Sequence, residues 1–454
     1  MSCDKLFANI ADSIVRLQLD KHYDVFKEIS PVGDYMGDLH EFRLTNNGTA
    51  LVTMYSAIEA DLSQSGGPSQ GWAYDSLFQE IDIETGNLLF EWHASDHFAY
   101  HNSEQPIRGR GGSRDSAFDF FHINTLDKTS TGDYIVSGRY FNVMCVDGKT
   151  GDVKWELGGQ NNTFTDLSDG AATNFTWNHH VVWYENEGGT QLTVFDNGAT
   201  NIIQTAEYSR GLLLDIDVDQ KTVRLVQDFV SPLKFSSPSQ GSVQILPSGN
   251  VLVGWGHTAA WTEFSAAGET LCETHIAPIW FADLGWVKNY RTFKSPWLGR
   301  PKTLPDRAMR ASEGALYVSW NGATEVAQWK LQSSSKVDGP FVNHSSAEKQ
   351  GFETRINVPV EASLYVRVVA QDAEGQLLEV STPVRKDEET KTSVLPGSRQ
   401  WMLPEPIPLF LMSLAGAIVL SGTLWFFRAK LRRVARRLTR KGAWGHRYQA
   451  LPKA

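Results

Sequence analysis

Hydrophobic and polar residues alternate along most of the chain in short runs, and glycine-containing turns separate these runs. Four segments share one pattern, in which an extended run is followed by a tight turn and then by an apolar strand. They are LHEFRLTNNGTALVTMY, FHINTLDKTSTGDYIVSGRY, NHHVVWYENEGGTQLTVFDN and SQGSVQILPSGNVLVGWG. A second hairpin follows each of them, in the order FQEIDIETGNLLFEW, MCVDGKTGDVKWEL, LLLDIDVDQKTVRLVQDF and FSAAGETLCETHI. Turn signals between alternating runs are strong evidence for β-hairpins.

Four strands per repeat, with repeats starting 57–82 residues apart, are typical of β-propeller blades. A fifth hairpin at 315–331 extends the series, and YDVFKEIS at 23–30 resembles the last strand of a blade without its partners. We therefore predict an all-β fold. It comprises a β-propeller of about six blades, incomplete at the N-terminus, then a small β-sandwich-like module and one C-terminal transmembrane helix.

The predicted domains follow from changes in this pattern. The strands at 352–384 alternate without the propeller repeat, and the residues after them are first charged and then rich in Ser, Gly and Pro. We place the propeller at 1–335, the small β module at 336–384, a stalk at 385–403, the transmembrane helix at 404–427 and a basic cytoplasmic tail at 428–454.

The transmembrane prediction depends on residues 406–427, which carry no charge. As a helix they would span about 30 Å, the thickness of a bilayer core. The basic run RAKLRRVARRLTRK follows, so the positive-inside rule places the C-terminus in the cytoplasm and the body in a lumen or outside the cell. Glycosylation sequons, expected on that side, begin at Asn47, Asn161, Asn174 and Asn343.

The N-terminal residues contain no apolar core of the kind found in a signal peptide. We therefore expect a start further upstream; the alternative is a tail-anchored chain with a cytosolic body. The net charge is −10, and the tail from Arg428 has ten basic residues and no acidic one, so the body is more acidic still. This charge argues against a nucleic-acid partner.

One polar position recurs at the start of each predicted innermost strand. It is His40, His122 and His179 in the first three repeats and Gln240 in the fourth. Innermost propeller strands line a central channel, so these side chains should converge there. Imidazoles in a shared cavity suit acid–base catalysis, covalent transfer or metal binding, although a recurrent histidine can also be a structural blade residue. The three cysteines lack metal-ligand spacing, and we predict no metal site.

Several stretches resemble the fungal branch of the arylsulfotransferase (aryl-sulfate sulfotransferase) family. They are FDFFHINTLDK, GDYIVSGRY, VDGKTGDVKWELGG, FDNGA, YSRGLLLDID, SQGSVQILPSGNVLVGWG and RTFKSPWLGRP. The resemblance implies a β-propeller that transfers a sulfuryl group between phenols by a ping-pong mechanism through a sulfated histidine. It implies no cofactor and no nucleotide sulfate donor, and the chain contains no GxxxxGK[ST] phosphate loop.

The resemblance assigns catalytic roles to His122 in FHIN, His179 in WNHH and Arg210 in YSRG. The nucleophilic histidine of bacterial members corresponds to Gln240, which cannot carry sulfate, and His257 is the nearest substitute in sequence. We expect the substrate-binding residues to be His40, Asn124, Gln240 and His257.

Three functions remain open at this point. The leading one is a membrane-anchored arylsulfotransferase-like enzyme acting on a phenolic compound or an aryl sulfate. The second is a lyase, cyclase or hydrolase of phenolic or polyketide secondary metabolism on the same scaffold. The third is a non-catalytic propeller that binds a ligand, since propellers support many functions.

Overall fold

Nearly all regular structure among the residues that the structure describes is β-strand. The computed structural model describes residues 6–9 and 16–390, where the strands form seven sheets and the α-helix α1 spans only Ile279–Asp283. Single 3-10 turns lie at Ser63–Ser65, Ala94–Asp96, Tyr100–Asn102, Arg114–Ser116, Gly256–Thr258 and Ala311–Glu313.

A three-stranded antiparallel sheet comes first in the chain. Its strands are β1 (Leu6–Asn9), β2 (Arg16–Leu19) and β3 (Val25–Ile29). The prediction that the strand at 23–30 lacks its partners is therefore wrong. β3 pairs with β2 along its length, so its neighbours come from the residues directly before it.

Four sheets of the meander type follow, and we call them the first to fourth sheets. The first has β4 (Gly37–Leu44), β5 (Thr49–Ala60), β6 (Gly71–Asp82) and β7 (Leu88–His93), with β8 (Phe118–Asp119) beside β6. The second has β9 (Ile123–Lys128), β10 (Tyr134–Gly138), β11 (Asn142–Val146) and β12 (Val153–Leu157). The third has β13 (Thr165–Asp166), which pairs with its last strand, β14 (His179–Asn186), β15 (Gly189–Asp196), β16 (Arg210–Asp217) and β17 (Thr222–Phe229). The fourth has β18 (Ser242–Ile245), β19 (Val251–Gly254), β20 (Ala260–Phe264) and β21 (Thr270–His275).

These sheets confirm all eight hairpins predicted for residues 39–276. Each pair of neighbouring sheets encloses its own hydrophobic core, so the alternating pattern buries both faces of an inner sheet. Phe78 and Trp92 of the first sheet pack against Tyr134 of the second. Val143 of the second sheet and Leu192 of the third share the next core, and Phe195 packs against Trp255 between the third and fourth.

The first strands of the four sheets lie next to one another in order. Asn124 on β9 donates to the carbonyl of Asn178 at 2.6 Å, directly before β14. The amide of Val243 on β18 donates to Nδ1 of His180 on β14 at 3.2 Å. Arg43 on β4 pairs with Asp127 on β9 at 2.8 Å. The amino-terminal ends of these strands, where the recurrent polar position lies, therefore come together.

An irregular segment at 289–294, the closing segment, joins the fourth sheet to the first. The amide of Gly241 donates to the Tyr290 carbonyl at 3.0 Å, and the Thr292 amide donates to Ser242 Oγ at 3.0 Å. Arg291 pairs with Glu41 on β4 at 3.0 Å and also donates to the Asn124 carbonyl at 2.7 Å. One buried arginine thus connects the first and second sheets, beside the fourth.

The remaining strands form two sheets that share one core. The strands are β22 (Asp306–Arg310), β23 (Ala315–Ser319), β24 (Gln328–Ser334), β25 (Val342–Glu348), β26 (Thr354–Asn357), β27 (Tyr365–Gln371), β28 (Leu377–Val380) and β29 (Val384–Arg385). One sheet has the order β22-β23-β26, and the other has the order β25-β24-β27-β28 with β29 beside β27. Leu316 and Ile356 from one sheet and Trp329 and Val368 from the other line the core.

The predicted hairpin at 315–331 is wrong, because β23 and β24 belong to different sheets of this pair. Alternation fixes which face of a strand is buried, but it does not fix which strand is its partner. The two-sheet unit therefore begins at β22, and the predicted domain boundary at 335 falls inside it.

The predicted fold class is corrected on two points. The structure has four meander sheets where about six blades were expected, since the N-terminal sheet has three strands and 315–331 is not a blade hairpin. The transmembrane helix is not supported, because no helix within residues 6–9 and 16–390 is long and apolar enough to cross a membrane. The segments at 404–427 and 428–454, and the stalk beyond residue 390, lie outside the described residues.

Candidate active site

Three histidines of the recurrent position meet where the first strands begin. The ring centroids of His40 and His122 are 4.8 Å apart, with the rings nearly perpendicular. Desolvation and then the charge of Arg139 lower the pKa of His179, with smaller contributions from His122 and His40. Gln240 donates its backbone N–H to Nε2 of His179 at 3.2 Å. The structure thus brings together the three histidines and Gln240, as the register predicted.

Backbone conformation at this edge is unusual. His122, Trp177, His180 and Gln240 all have positive φ, between 48° and 66°. Residues with a Cβ rarely adopt this left-handed region, and it costs free energy that the surrounding contacts must offset. Strained residues of this kind concentrate at functional sites.

Two of the histidines are paired with carboxylates. Nδ1 of His122 lies 2.5 Å from Oδ2 of Asp119, and Nδ1 of His40 bonds to Oδ2 of Asp38. A carboxylate accepts, so each Nδ1 carries the hydrogen and each Nε2 is left for other chemistry. The His122 side chain keeps 17% of its surface exposed, which leaves the ring accessible to a ligand.

Burial favours the neutral form of His122. Desolvation lowers the pKa of His122, and the charge and hydrogen bond of Asp119 offset this only in part. At neutral pH, His122 therefore presents an unprotonated Nε2, which is the form that acts as a base or a nucleophile.

The hydrogen bonds of His179 fix its tautomer. Asn197 donates its amide N–H groups to the carbonyls of Ser237 and Gln240 at 2.8 and 2.9 Å, so its Oδ1 must accept from Nδ1 of His179 at 2.6 Å. Nε2 of His179 then accepts the Gln240 N–H. Both ring nitrogens are occupied by protein groups, and desolvation lowers the pKa of His179 well below its usual value. The His179 ring therefore holds the backbone of the loop that contains Gln240, which we call the Gln240 loop.

Phenol side chains line the histidine cluster. The ring centroid of Tyr55 is 6.0 Å from that of His122, and Tyr140 is 5.3 Å from the same ring. Tyr290 of the closing segment lies 5.9 Å from His40. Burial raises the pKa of Tyr140 to about 12 and also raises that of Tyr55 and Tyr290, so all three phenols stay neutral.

Arg139 also lies at the cluster, although the sequence analysis did not single it out. Its backbone N–H donates to the His122 carbonyl at 3.0 Å, and Nη2 donates to the Pro238 carbonyl at 2.5 Å. The signal was present: β10 runs antiparallel to β9, with Gly138 opposite Ile123, so the residue after β10 must return to the His122 end. The sequence did not single out Tyr55, Tyr140 and Tyr290, because these tyrosines do not occupy a position that recurs in the repeats.

Arg210 lies in a different place from the one that the resemblance implies. Its Nε pairs with Asp196 at 2.9 Å, and Nη2 donates to the Asn174 carbonyl at 3.1 Å. With Tyr208 and Asp228 it lines a separate cavity of about 240 Å³. Arg210 contacts none of the three histidines in the part of the chain that the structure describes.

The other predicted binding residues differ in position. Asn124 is fully buried, and its amide holds the Asn178 carbonyl, so it joins two sheets. His257 lies close to the Gln240 loop, because its backbone N–H donates to the Ser239 carbonyl at 3.1 Å. Because β18 and β19 are antiparallel, the chain returns to the edge at which β18 begins.

The described residues contain no group of three His, Cys, Asp or Glu side chains that could hold a metal ion. The four sequon asparagines, Asn47, Asn161, Asn174 and Asn343, are exposed. Their glycosylation, and the lumenal or extracellular placement of the body, stay predictions.

The comparisons with known proteins identify the family. The model of the arylsulfotransferase (ASST) family matches residues 8–277, more than half of the chain, and includes the four meander sheets. The chain belongs to the arylsulfotransferase family. Assignment to the fungal branch stays a prediction. No curated protein matches the chain.

Solved structures give weaker likenesses. A protein of unknown function from Bacteroides caccae is 12% identical, with a TM-score of 0.31, over 85% of this chain and 96% of that one. The computationally designed Ika8 protein is 10% identical, with a TM-score of 0.29, over 84% of this chain and 94% of that one. Both TM-scores are too low to indicate a shared fold.

Proposed function

We propose that this chain is an arylsulfotransferase-like enzyme that moves a sulfuryl group from an aryl sulfate to a phenol, with His122 as the nucleophile. The observation that carries the proposal is the His122–Asp119 pair beside His40. Oδ2 of Asp119 lies 2.5 Å from Nδ1 of His122, and the ring, with Nε2 on its other side, remains partly exposed. This arrangement replaces the nucleophile lost at Gln240.

In the first half-reaction, the lone pair of His122 Nε2 forms a bond to sulfur, and the S–O(aryl) bond breaks. The electron pair stays on the aryl oxygen, which takes a proton from the imidazolium of His40. Asp119 stabilises the positive charge that develops on the sulfated ring of His122, as a carboxylate stabilises an imidazolium in acyl transfer. The first phenol leaves, and His40 is neutral.

In the second half-reaction, the acceptor phenol gives its proton to His40 and its oxygen attacks sulfur. The S–N bond breaks, and the electron pair returns to His122 Nε2. His40, held by Asp38, thus carries the proton between the two phenols, and the enzyme returns to its starting state. No external oxidant, reductant or nucleotide is consumed.

Release of 4-nitrophenol from 4-nitrophenyl sulfate in the presence of a second phenol tests this proposal. We expect turnover that depends on the acceptor, and its loss in His122→Ala. His101→Ala, which changes an exposed histidine outside the cluster, is the matched control and should retain activity. Full turnover by His122→Ala would contradict the proposed nucleophile.

A second candidate is acid–base catalysis on a phenolic substrate without sulfuryl transfer. Gln240 at the nucleophile position and the two carboxylate–imidazole pairs favour it. The same assay separates the two functions, because the acid–base enzyme would release no 4-nitrophenol from the sulfate ester.

A further inference from the structure

Arg139 differs from the other arginines around the first strands. Arg43, Arg210 and Arg291 each have a carboxylate partner, Asp127, Asp196 and Glu41 respectively, at 2.8–3.0 Å. Within residues 16–390, Arg139 has no such ion pair; its Nη2 donates to the Pro238 carbonyl, and its side chain also bonds to the Tyr140 phenol. An arginine remains charged in proteins. A half-buried cation at the histidine cluster therefore has no carboxylate in direct contact with it, and the nearest charge that acts on it is that of Asp119.

Two hydrogen-bond donors in the same neighbourhood have no partner among the described residues. They are Nε of Arg139 and Nε1 of Trp177, and both atoms are buried. Buried donors are nearly always paired, and leaving one unmade costs about 1–3 kcal/mol. Unpaired buried donors on two residues that both contact Tyr140 are typical of a binding site whose ligand supplies the acceptors.

Tyr140 places the two donors around His122. Its ring centroid lies 5.9 Å from the Trp177 ring, 5.9 Å from Cζ of Arg139 and 5.3 Å from the His122 ring. Arg139, Trp177 and the proposed nucleophile therefore all neighbour one phenol ring. The backbone of Trp177 is also in the left-handed region, with φ of 59°.

We propose that Arg139 and Trp177 bind the sulfate oxygens of an aryl sulfate monoester, which makes Arg139 the catalytic arginine of this chain. The inference rests on the proposed function and gives Arg139 the role that the family resemblance gave to Arg210. A sulfate monoester offers three terminal oxygens and one negative charge. The guanidinium supplies the charge and one donor, and the indole supplies a second donor at a different angle.

The binding site also contributes to transfer. As the S–O bond breaks, negative charge gathers on the sulfuryl oxygens and the leaving oxygen, and fixed donors in a water-poor site stabilise it. The pocket thereby selects the charged ester over the neutral phenol that leaves. Asp119 bonds to Nδ1 of His122 through Oδ2, while its Oδ1 has no partner among the described residues, and its charge repels a dianionic ligand more strongly than a monoanion.

Ligand binding to a variant that cannot transfer the sulfuryl group tests this assignment separately from catalysis. In His122→Ala protein, titration calorimetry measures the affinities of 4-nitrophenyl sulfate and 4-nitrophenol. We add Arg139→Lys, which keeps the charge, and Trp177→Phe, which removes the N–H donor and replaces the indole with a smaller aromatic ring. Arg210→Lys, in the separate cavity, is the matched control. Melting temperatures confirm that each protein is folded.

We expect Arg139→Lys to weaken binding of the sulfate at least about tenfold, and Trp177→Phe severalfold, with the affinity for 4-nitrophenol nearly unchanged. Arg210→Lys should bind both ligands as the parent does. Any of three results would overturn the assignment. They are an unchanged affinity for the sulfate after Arg139→Lys, an equal loss of affinity for both ligands, and no binding of the sulfate by the folded parent protein. If the sulfate binds through Arg139 but wild-type protein transfers nothing, the proposed function fails while the anion site stands.

Discussion

The imidazole of His122 meets that of His40 edge-on, with their ring centroids 4.8 Å apart, and each ring is held by its own aspartate. The two rings come from neighbouring sheets, so their separation is set by the packing of β4 beside β9. One ring can then form the covalent bond while the other moves the proton.

The pH dependence of the donor half-reaction should report His122. Burial lowers the pKa of His122, so the acidic limb should lie below about pH 6.5. Asp119→Asn removes a charge that raises this pKa, and the limb should therefore move to still lower pH while the maximal rate falls. The pairing of His122 with Asp119 would be contradicted if the acidic limb moved to higher pH. It would also be contradicted if both the limb and the maximal rate were unchanged.

Acidification should destabilise the fold through its buried histidines. Desolvation lowers the pKa of His179 and His180 well below 6.5 in the folded state. Below pH 6.5 the unfolded chain therefore binds more protons than the folded one, and stability present at neutral pH is lost as the pH falls. Urea unfolding at about pH 7.5 and about pH 5.5 measures the loss, and it should be smaller by about 1 kcal/mol in His180→Gln. An identical loss in both proteins would show that His180 is not responsible.

Asn197 should matter for stability as well as for the site. Replacement with Leu leaves Nδ1 of His179 and the Gln240 carbonyl without these partners, and the Ser237 carbonyl with only the 3.4 Å bond from Ser209, at a cost of about 1–3 kcal/mol for each group that stays dry. We expect a loss of roughly 3 kcal/mol in the free energy of unfolding. The control is the exposed Asn186, where Ala should change stability by less than about 0.5 kcal/mol.

The closing segment depends on the ion pair between Arg291 and Glu41. Their side chains are 8% and 6% exposed, so Glu41→Gln leaves a buried charge and should cost about 3–5 kcal/mol. Glu325→Gln breaks the more exposed pair with Arg300 and should cost less than about 1 kcal/mol. Comparable losses in these two variants would contradict a buried role for Arg291.

The sequence predicts the hairpins and their register well, because these features depend on residues close together in the chain. Alternation and Gly-containing turns identified the eight hairpins of the meander sheets, and their common register predicted that His40, His122 and His179 would meet. The same register would have found Arg139, had residues at the far end of each hairpin been compared as well as those at its start.

Features that depend on contacts between distant residues could not be predicted in this way. The closing segment at 289–294 has no alternation, and its place follows from Arg291 reaching Glu41 some 250 positions earlier. The strands β23 and β24 look like a hairpin because their alternation is local, although their partners, such as β26 and β27, come later in the chain. Arg210 carries the family motif, yet Asp196 on the paired strand holds its side chain in another cavity.

The central claim is that His122 carries the sulfuryl group, and peptide mass spectrometry after incubation with donor alone tests it most directly. With 4-nitrophenyl sulfate and no acceptor, we expect a sulfuryl adduct on the peptide that contains His122, lost again when a phenol is added. The adduct should be absent from His122→Ala and retained in His101→Ala. The account would be contradicted by an adduct on another residue, such as His40 or His257. It would also be contradicted by release of 4-nitrophenol with no adduct at any time.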